Sequence, residues 1–147
     1  MRHGRGGDPA FAADRELFQA LLQHRTAIQR VVTKTEHGVE TLTESDDPNV
    51  AGLIQAHVAS MKKRVENQQP IHLRDPLFAE VFRHADWITF VYEKTDKGVR
   101  VTETSPDPYV AQLIQQHAEV VSLFLKHGPA EVRRQHEPPA QTPEAQP

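Results

Sequence analysis

The sequence predicts an α+β fold in which two copies of an α-β-β-α unit form one domain around a four-stranded antiparallel sheet. Three observations predict it: an internal repeat, apolar residues at helical spacing at both ends of each copy, and two β-branched segments between them. A chain of 147 residues fits one such domain with a tail at each end.

The repeat is found by comparing residues 17–66 with residues 77–126 without gaps, where 18 of 50 positions are identical. Identical pairs include Phe18/Phe78, Val31/Val91, Gly38/Gly98, Asp47/Asp107, Gln55/Gln115 and His57/His117. One copy with two strands could hardly bury a core of its own. We therefore expect the copies to share one core about a pseudo-two-fold axis, in a single duplicated domain spanning 14–128 with a linker at 67–75.

Each copy is expected to begin and end with a helix. Leu17 and Leu21 belong to an apolar stripe at helical spacing in the first helix. The second helix starts at a repeated Asp-Pro pair, an N-cap followed by proline at the first helical position. These long helices are predicted to run from about 48 to 66 and from about 108 to 126.

Two β-branched segments lie between the helices of each copy. They span 28–35 and 39–44 in the first copy, and 88–95 and 99–104 in the second. Between them, Gly38 and Gly98 suit the left-handed position of a three-residue hairpin loop. Pairing of the two hairpins would form the four-stranded sheet, with the helices packed on it.

The two ends lack an apolar period. Residues 1–13 are rich in Gly, Ala and Arg, and residues 129–147 are rich in proline. Such segments bury too little apolar surface to fold independently. We interpret them as a flexible N-terminal segment and a Pro-rich C-terminal tail, poorly ordered or docked on the domain.

Composition excludes several kinds of function. The formal net charge is −3 with no stripe of Lys and Arg, which argues against a nucleic-acid partner. No apolar run is long enough to span a bilayer. The chain has no cysteine, which excludes disulfides, covalently attached c-type haem, iron–sulfur clusters and thiolate zinc sites.

Histidine is the unusual residue type, with nine copies. His57 and His117 fall on the apolar stripes of the two long helices. His24 and His84 come one turn after the apolar residues that end the first helix of each copy. All four belong to identical pairs of the repeat, and we expect all four to point inward.

A buried imidazole needs a partner for its ring nitrogens. Protein groups can supply one, which would make the histidines structural, or a metal or haem iron can. Met61 follows His57 by one helical turn, and a His and thioether pair favours copper or could ligate haem iron. Met61 could equally be core filler. The ligands would meet within each copy, or His57 and His117 would share a site at the axis.

The second hairpin is richer in aromatic residues than the first. Trp87, Phe90 and Tyr92 stand where the first copy has no aromatic residue. Packing across the strands explains aromatic residues in a sheet. The alternative is the wall of a ligand pocket or a surface for a partner.

Several motifs are similar to those of a known family. The segments 43–48 (TESDDP), 53–58 (LIQAHV) and 75–86 (DPLFAEVFRHAD) resemble a family of uncharacterised bacterial exported proteins. The likeness extends from about His3 to His136. It implies that the chain is a mature exported protein whose signal has been removed, in the periplasm or secreted. No activity is established for that family, so the resemblance implies no reaction.

These observations favour a small exported histidine-rich protein that binds a transition metal, with copper preferred, or haem. Its ligands would come from His57, His117, His24, His84 and Met61, and it would serve metal handling or electron transfer. The alternative is a non-catalytic interaction module with structural core histidines, which an exposed apolar patch around Trp87 would support. An enzyme using the same site is least favoured. Expected partners are a redox protein, another protein or a second copy of the chain.

Overall fold

The structure is a computed structural model that describes residues 11–67 and 75–140. The helices are α1 (Phe11–Gln23), α2 (Pro48–Asn67), α3 (Pro76–Arg83), α4 (Pro108–His127) and α5 (Pro129–Val132). The strands are β1 (Gln29–Thr35), β2 (Gly38–Glu44), β3 (Thr89–Lys94) and β4 (Gly98–Thr104). The predicted α+β fold with a four-stranded antiparallel sheet is confirmed.

The sheet has the strand order β1-β2-β4-β3, so the inner strands of the two hairpins pair with each other. Thr41 lies opposite Val101 in this central antiparallel pair. These two residues occupy equivalent positions of the two copies. The pseudo-two-fold axis therefore passes through the sheet between them.

Each long helix packs over the hairpin of the other copy. The Nε2 group of Gln55 donates to two carbonyls of the 95–98 turn at 3.1 and 3.2 Å. The Nε2 group of Gln115 donates to two carbonyls of the 35–38 turn at 3.0 and 3.1 Å. The identical glutamines thus join the two copies reciprocally.

The prediction of a left-handed conformation for Gly38 and Gly98 is wrong. Gly128, with φ of 71°, is the sole glycine of the described ranges with a positive φ. Gly38 and Gly98 instead lie within β2 and β4, where a Cβ atom would overlap the carbonyl oxygen of Glu103 or Thr43 on the facing strand. The repeat keeps glycine there because the central strands approach closely.

The long helices begin as predicted, at the repeated Asp-Pro pairs. The Asp107 carboxylate accepts from the backbone N–H groups of Tyr109 and Val110 at 2.9 and 3.2 Å. Asp47 accepts from the N–H of Asn49 at 2.9 Å. These bonds satisfy amide donors that have no partner within the helix.

The helices cover one face of the sheet, and the core lies between the two layers. Val99 and Val101 of β4 pack against Val50 and Ile54 of α2. In the other half, Val39 of β2 packs against α4. Alternation along the strands leaves the second face of the sheet without a helix over it in the described part of the chain.

The ends are helical or docked on the domain where the structure describes them. Helix α1 begins at Phe11, so the last three residues of the predicted flexible segment are helical. Residues 129–140 begin with α5 and are docked, with the N–H of Leu77 donating to the His136 carbonyl at 2.9 Å. Residues 1–10, 68–74 and 141–147 lie outside the described residues. No helix of the described ranges has the length and apolarity to cross a membrane.

Candidate functional site

Two repeated Phe–His pairs lie between the helices. The rings of Phe18 on α1 and His57 on α2 have centroids 6.2 Å apart, and those of Phe78 on α3 and His117 on α4 are 4.6 Å apart. Phe124 lies 5.8 Å from both phenylalanine rings. The repeat thus places one histidine on each side of an aromatic cluster.

His57 carries a buried ring nitrogen with no hydrogen-bond partner among the described residues, Nδ1. Burial lowers the pKa of His57 to about 4, with Asp14 opposing the shift and Arg30 adding to it. The ring is therefore neutral at pH 7. A neutral imidazole keeps one nitrogen lone pair free to bind a metal or accept a hydrogen bond.

The other repeated pair, His24 and His84, is exposed in one copy and half-buried in the other. His24 is exposed at the end of α1, so the prediction that it faces the core is wrong. His84 is half-buried, and its Nδ1 lies 3.0 Å from the Glu80 carbonyl oxygen, to which it must donate. The same carbonyl accepts from the backbone N–H of His84 at 3.3 Å, so the ring reinforces the C-terminal end of the helix. His84 therefore has a structural role at the end of α3.

The histidines predicted as ligands do not assemble into a metal cluster. Within residues 11–67 and 75–140, no group of three or more His, Asp or Glu side chains is placed to hold a metal ion. Met61 is half-buried on α2, one turn after His57. A shared four-histidine centre is thus absent from the described residues.

Two interior charged residues were not singled out from the sequence. Arg30 on β1 donates to the hydroxyls of Ser122 and Thr43 at 3.0 and 3.1 Å and to the Ala118 carbonyl at 3.3 Å. Burial lowers its pKa to about 10, with Glu103 opposing the shift. Strand alternation could have found Arg30, because it places this residue on the face that packs against the helices.

Glu103 on β4 lies near this arginine. Burial raises the pKa of Glu103 to about 7, and the charge of Arg30 reduces the rise. His57 responds to the same arginine. The interior therefore contains titratable groups in electrostatic contact with one another.

The uncovered face of the sheet carries exposed apolar side chains. Val31 on β1 and Val91 on β3 are 60% and 56% exposed, and Trp87, which comes two residues before β3, is 58% exposed. Val31 and Val91 are equivalent residues of the repeat. The pseudo-two-fold axis therefore relates them across this face.

Acidic groups surround these valines. Strand alternation places Glu40, Glu44, Glu93 and Arg100 on the same face. Arg100 Nε lies 3.7 Å from Glu40, and its Nη1 lies 3.6 Å from Glu93. One arginine against three carboxylates leaves the face net negative.

Comparison with known proteins gives no match to a family model, to a curated protein or to a solved structure. Two regions of the chain have features of a binding site: the uncovered face of the sheet and the half-buried His57 with its buried Nδ1.

Proposed function

We propose that this protein is a non-catalytic interaction module that binds a protein partner through the uncovered face of its sheet. The observation that carries the proposal is the exposed Val31/Val91 pair, related by the pseudo-two-fold axis. The exposed Trp87 adds a large apolar side chain in the second copy. Exposed aromatic residues are enriched in protein interfaces.

Val31 and Val91 are the identical aliphatic pair of the repeat that is exposed in both copies. The pairs Val39/Val99 and Val50/Val110 are identical and buried, and the pair Gln55/Gln115 is identical and bonded across the copies. Packing and hydrogen bonding account for those residues. An exposed valine gains neither, so a binding role accounts best for Val31 and Val91.

The charge of the face supports one class of occupant. The acidic excess from Glu40, Glu44 and Glu93 repels a second copy of the same face and attracts basic groups. We therefore expect a partner that places Lys or Arg over the central strands β2 and β4 and apolar side chains over the valines of the two edge strands. Such contacts weaken as salt is added, because exposed charges are screened.

The test begins with a photo-crosslinking amino acid at Thr33, on the same face, to identify the partner in cells. Binding is then measured with the two purified proteins. The double variant Val31→Ser, Val91→Ser should weaken binding about tenfold or more, because it removes an apolar contact at each edge of the binding face. The matched control, Ala56→Ser with Gln112→Ser, changes exposed positions on α2 and α4 and should bind like the parent.

Three results would contradict the proposal. If the double variant and the control bind the partner with equal affinity, this face of the sheet does not bind it. If the affinity is unchanged in high salt, the partner does not bind through Lys or Arg side chains. A micromolar homodimer that dissociates in the double variant would assign the face to a second copy of the chain.

A transition-metal or haem site at His57 is the second candidate function. What favours it is the buried Nδ1 of a neutral imidazole, which has no hydrogen-bond partner within residues 11–67 and 75–140, with Met61 one turn away. His117, the equivalent residue of the second copy, is the remaining candidate ligand, and copper is the metal preferred for a His and thioether set. Any such site would handle metal or transfer electrons.

Elemental analysis and a visible spectrum of untagged protein test this second candidate. A stoichiometric metal or a Soret band should be lost in His57→Ala and kept in His37→Ala, a change in an exposed hairpin turn. Protein that stays metal-free and colourless after copper and haem are offered would leave the histidines structural.

We also propose a periplasmic or secreted location. The support is the resemblance of the 43–48, 53–58 and 75–86 segments to exported bacterial proteins. Fractionation of the native cells checks it, and recovery in the cytoplasm would contradict it.

A further inference from the structure

Residues 129–140 form a strap that leads from the end of α4 to the start of α3. The N–H of Leu77 donates to the His136 carbonyl at 2.9 Å, and the N–H of His136 donates to the Asp75 carboxylate at 3.3 Å. Gln116 Nε2 donates to the Glu137 carbonyl at 2.8 Å. Most of these bonds converge on one residue of the strap, His136.

The His136 ring lies between two buried carboxylates from different elements. Its Nδ1 is 2.5 Å from Asp75 Oδ2, and its Nε2 is 2.5 Å from Glu131 Oε2. Asp75 is the N-cap of α3, and Glu131 belongs to α5. The imidazole therefore ties the strap to the helix layer.

The chemistry of this arrangement requires a charged ring. An ionised carboxylate accepts hydrogen bonds only, so both ring nitrogens must donate. A neutral imidazole has one N–H, and its other nitrogen would turn a lone pair toward a carboxylate oxygen at 2.5 Å. The two nitrogens face opposite partners, so the ring cannot chelate a metal with these carboxylates.

We propose that His136 is a proton-operated latch, which holds the strap while its imidazole is charged and releases it when the ring loses its proton as pH rises. This inference is independent of the proposed binding through the sheet. The release would uncover the edge of the aromatic cluster, because the Phe124 ring lies 6.0 Å from His136 and Val132 packs on the same cluster.

The charged groups that face His136 favour its protonated form, as release of the strap at rising pH requires. Burial lowers the pKa of His136, but the hydrogen bonds to Asp75 and Glu131 raise it more, and the net pKa is raised. The hydrogen bond from His136 lowers the pKa of Glu131, with smaller contributions from Arg134 and His127. For a raised histidine pKa, stability is complete below the ordinary value of about 6.5 and is lost as pH rises through the folded value.

Limited proteolysis and NMR measure the latch in the full chain. Arg133 and Arg134 are exposed on the strap, so trypsin reports its release. Cleavage there, normalised at each pH to an unfolded reference peptide, should rise several-fold over the range in which the His136 ring signals titrate. That titration midpoint should lie above the ordinary imidazole value.

Two variants and a control separate a latch from a simple structural contact. Glu131→Gln supplies an amide N–H to a neutral ring, so the strap should stay protected as pH rises. His136→Gln should make cleavage fast at every pH, with circular dichroism confirming that the domain is folded. His37→Gln, in an exposed hairpin turn, should behave like the parent. A His136 midpoint at or below 6.5, or strap cleavage that does not follow the His136 titration, would overturn the proposal.

Discussion

The two copies share a backbone arrangement but fill equivalent interior positions with opposite chemistry. In the first copy Arg64 is 2% exposed, and its Nε lies 2.6 Å from Asp14 Oδ2. The equivalent residue of the second copy is Phe124, also 2% exposed, between Phe18 and Phe78. The pseudo-symmetric fold thus decides that the position is buried, while its polarity is free to differ.

The strands show the same contrast. Arg30 extends beneath α4 from β1, where the equivalent position on β3 carries Phe90. Glu103 on β4 has Thr43 as its counterpart on β2. Arg64, Arg30 and Glu103 therefore sit at positions where the other copy is apolar or neutral, so the charge at each of these positions belongs to one copy alone.

The largest expected effect comes from breaking the buried ion pair of the first copy. Asp14→Ala leaves Arg64 buried without this carboxylate, and the free energy of unfolding should fall by about 3–5 kcal/mol. Denaturant titration measures it, with the exposed neighbour Glu16→Ala as a control that should stay close to the parent. A cost no greater than that of the control would mean that the pair is not what stabilises this position.

Glu103→Gln should stabilise the protein at high pH. Burial raises the pKa of Glu103 to about 7 in the folded protein, so its stability contribution is complete below about 4.5 and is lost as pH rises through 7. Removing the charge should raise the free energy of unfolding by as much as about 3 kcal/mol at pH 8 and by little at pH 4. The prediction is contradicted if the free energies of unfolding of parent and variant differ by the same amount at every pH from 4 to 8. Glu93→Gln, on the exposed face, is the control.

His57 should destabilise the protein in acid. Its folded pKa of about 4 lies below the unfolded value, so its contribution is complete above about 6.5 and is lost as pH falls toward 4. The free energy of unfolding of the parent should fall as the pH is lowered from 7 to 4.5. In His57→Leu this fall should be smaller by about 2 kcal/mol. His24→Leu, at an exposed position, should leave the acid loss unchanged. Equal acid sensitivity of the two variants would show that the His57 ring is not held neutral.

The reciprocal glutamines test the symmetry itself. Gln55→Ala and Gln115→Ala each remove two hydrogen bonds to the hairpin of the other copy, and each should cost about 1–2 kcal/mol. Thermal unfolding compares them with the exposed Gln112→Ala, which should cost almost nothing. If the stability losses of Gln55→Ala and Gln115→Ala differ greatly, the two reciprocal contacts do not contribute equally to the shared core.

Trp87→Ala should have the smallest effect, about 0.5 kcal/mol or less, because the side chain is 58% exposed and the first copy has alanine there. Trp87 is the single tryptophan of the chain, so its fluorescence reports this site directly. Emission at the wavelength of a solvated indole is expected. Blue-shifted emission in the isolated protein would indicate that the surface is already covered.

Much of the fold could be predicted because its signals are local. The Asp-Pro helix starts, the β-branched segments and the length of the long helices depend on neighbours in the chain, and these predictions agree closely with the bounds of α2 and α4. The role of Gly38 could not be predicted this way. Its requirement comes from the Glu103 carbonyl on a strand of the other copy, not from its own turn.

The candidate site was less predictable for a related reason. Helical spacing placed His57 near the core, but the same reasoning failed for His24, because α1 ends there and the ring turns to solvent. The exposure of Val31 depends on which face of the sheet the helices cover. Alternation defines two faces but does not say which one remains open.

By itself the sequence determined that the protein is a duplicated α+β domain, since a repeat with period-2 and helical patterns allows few other arrangements. Only the tertiary structure decided that each long helix covers the hairpin of the other copy, that Arg30 and Glu103 share an interior, and that His136 lies between Asp75 and Glu131. Most of these contacts join residues that are distant along the chain, such as Arg30 with Ser122 and His136 with Asp75. Packing of the whole chain brings such residues together, and no local pattern specifies them.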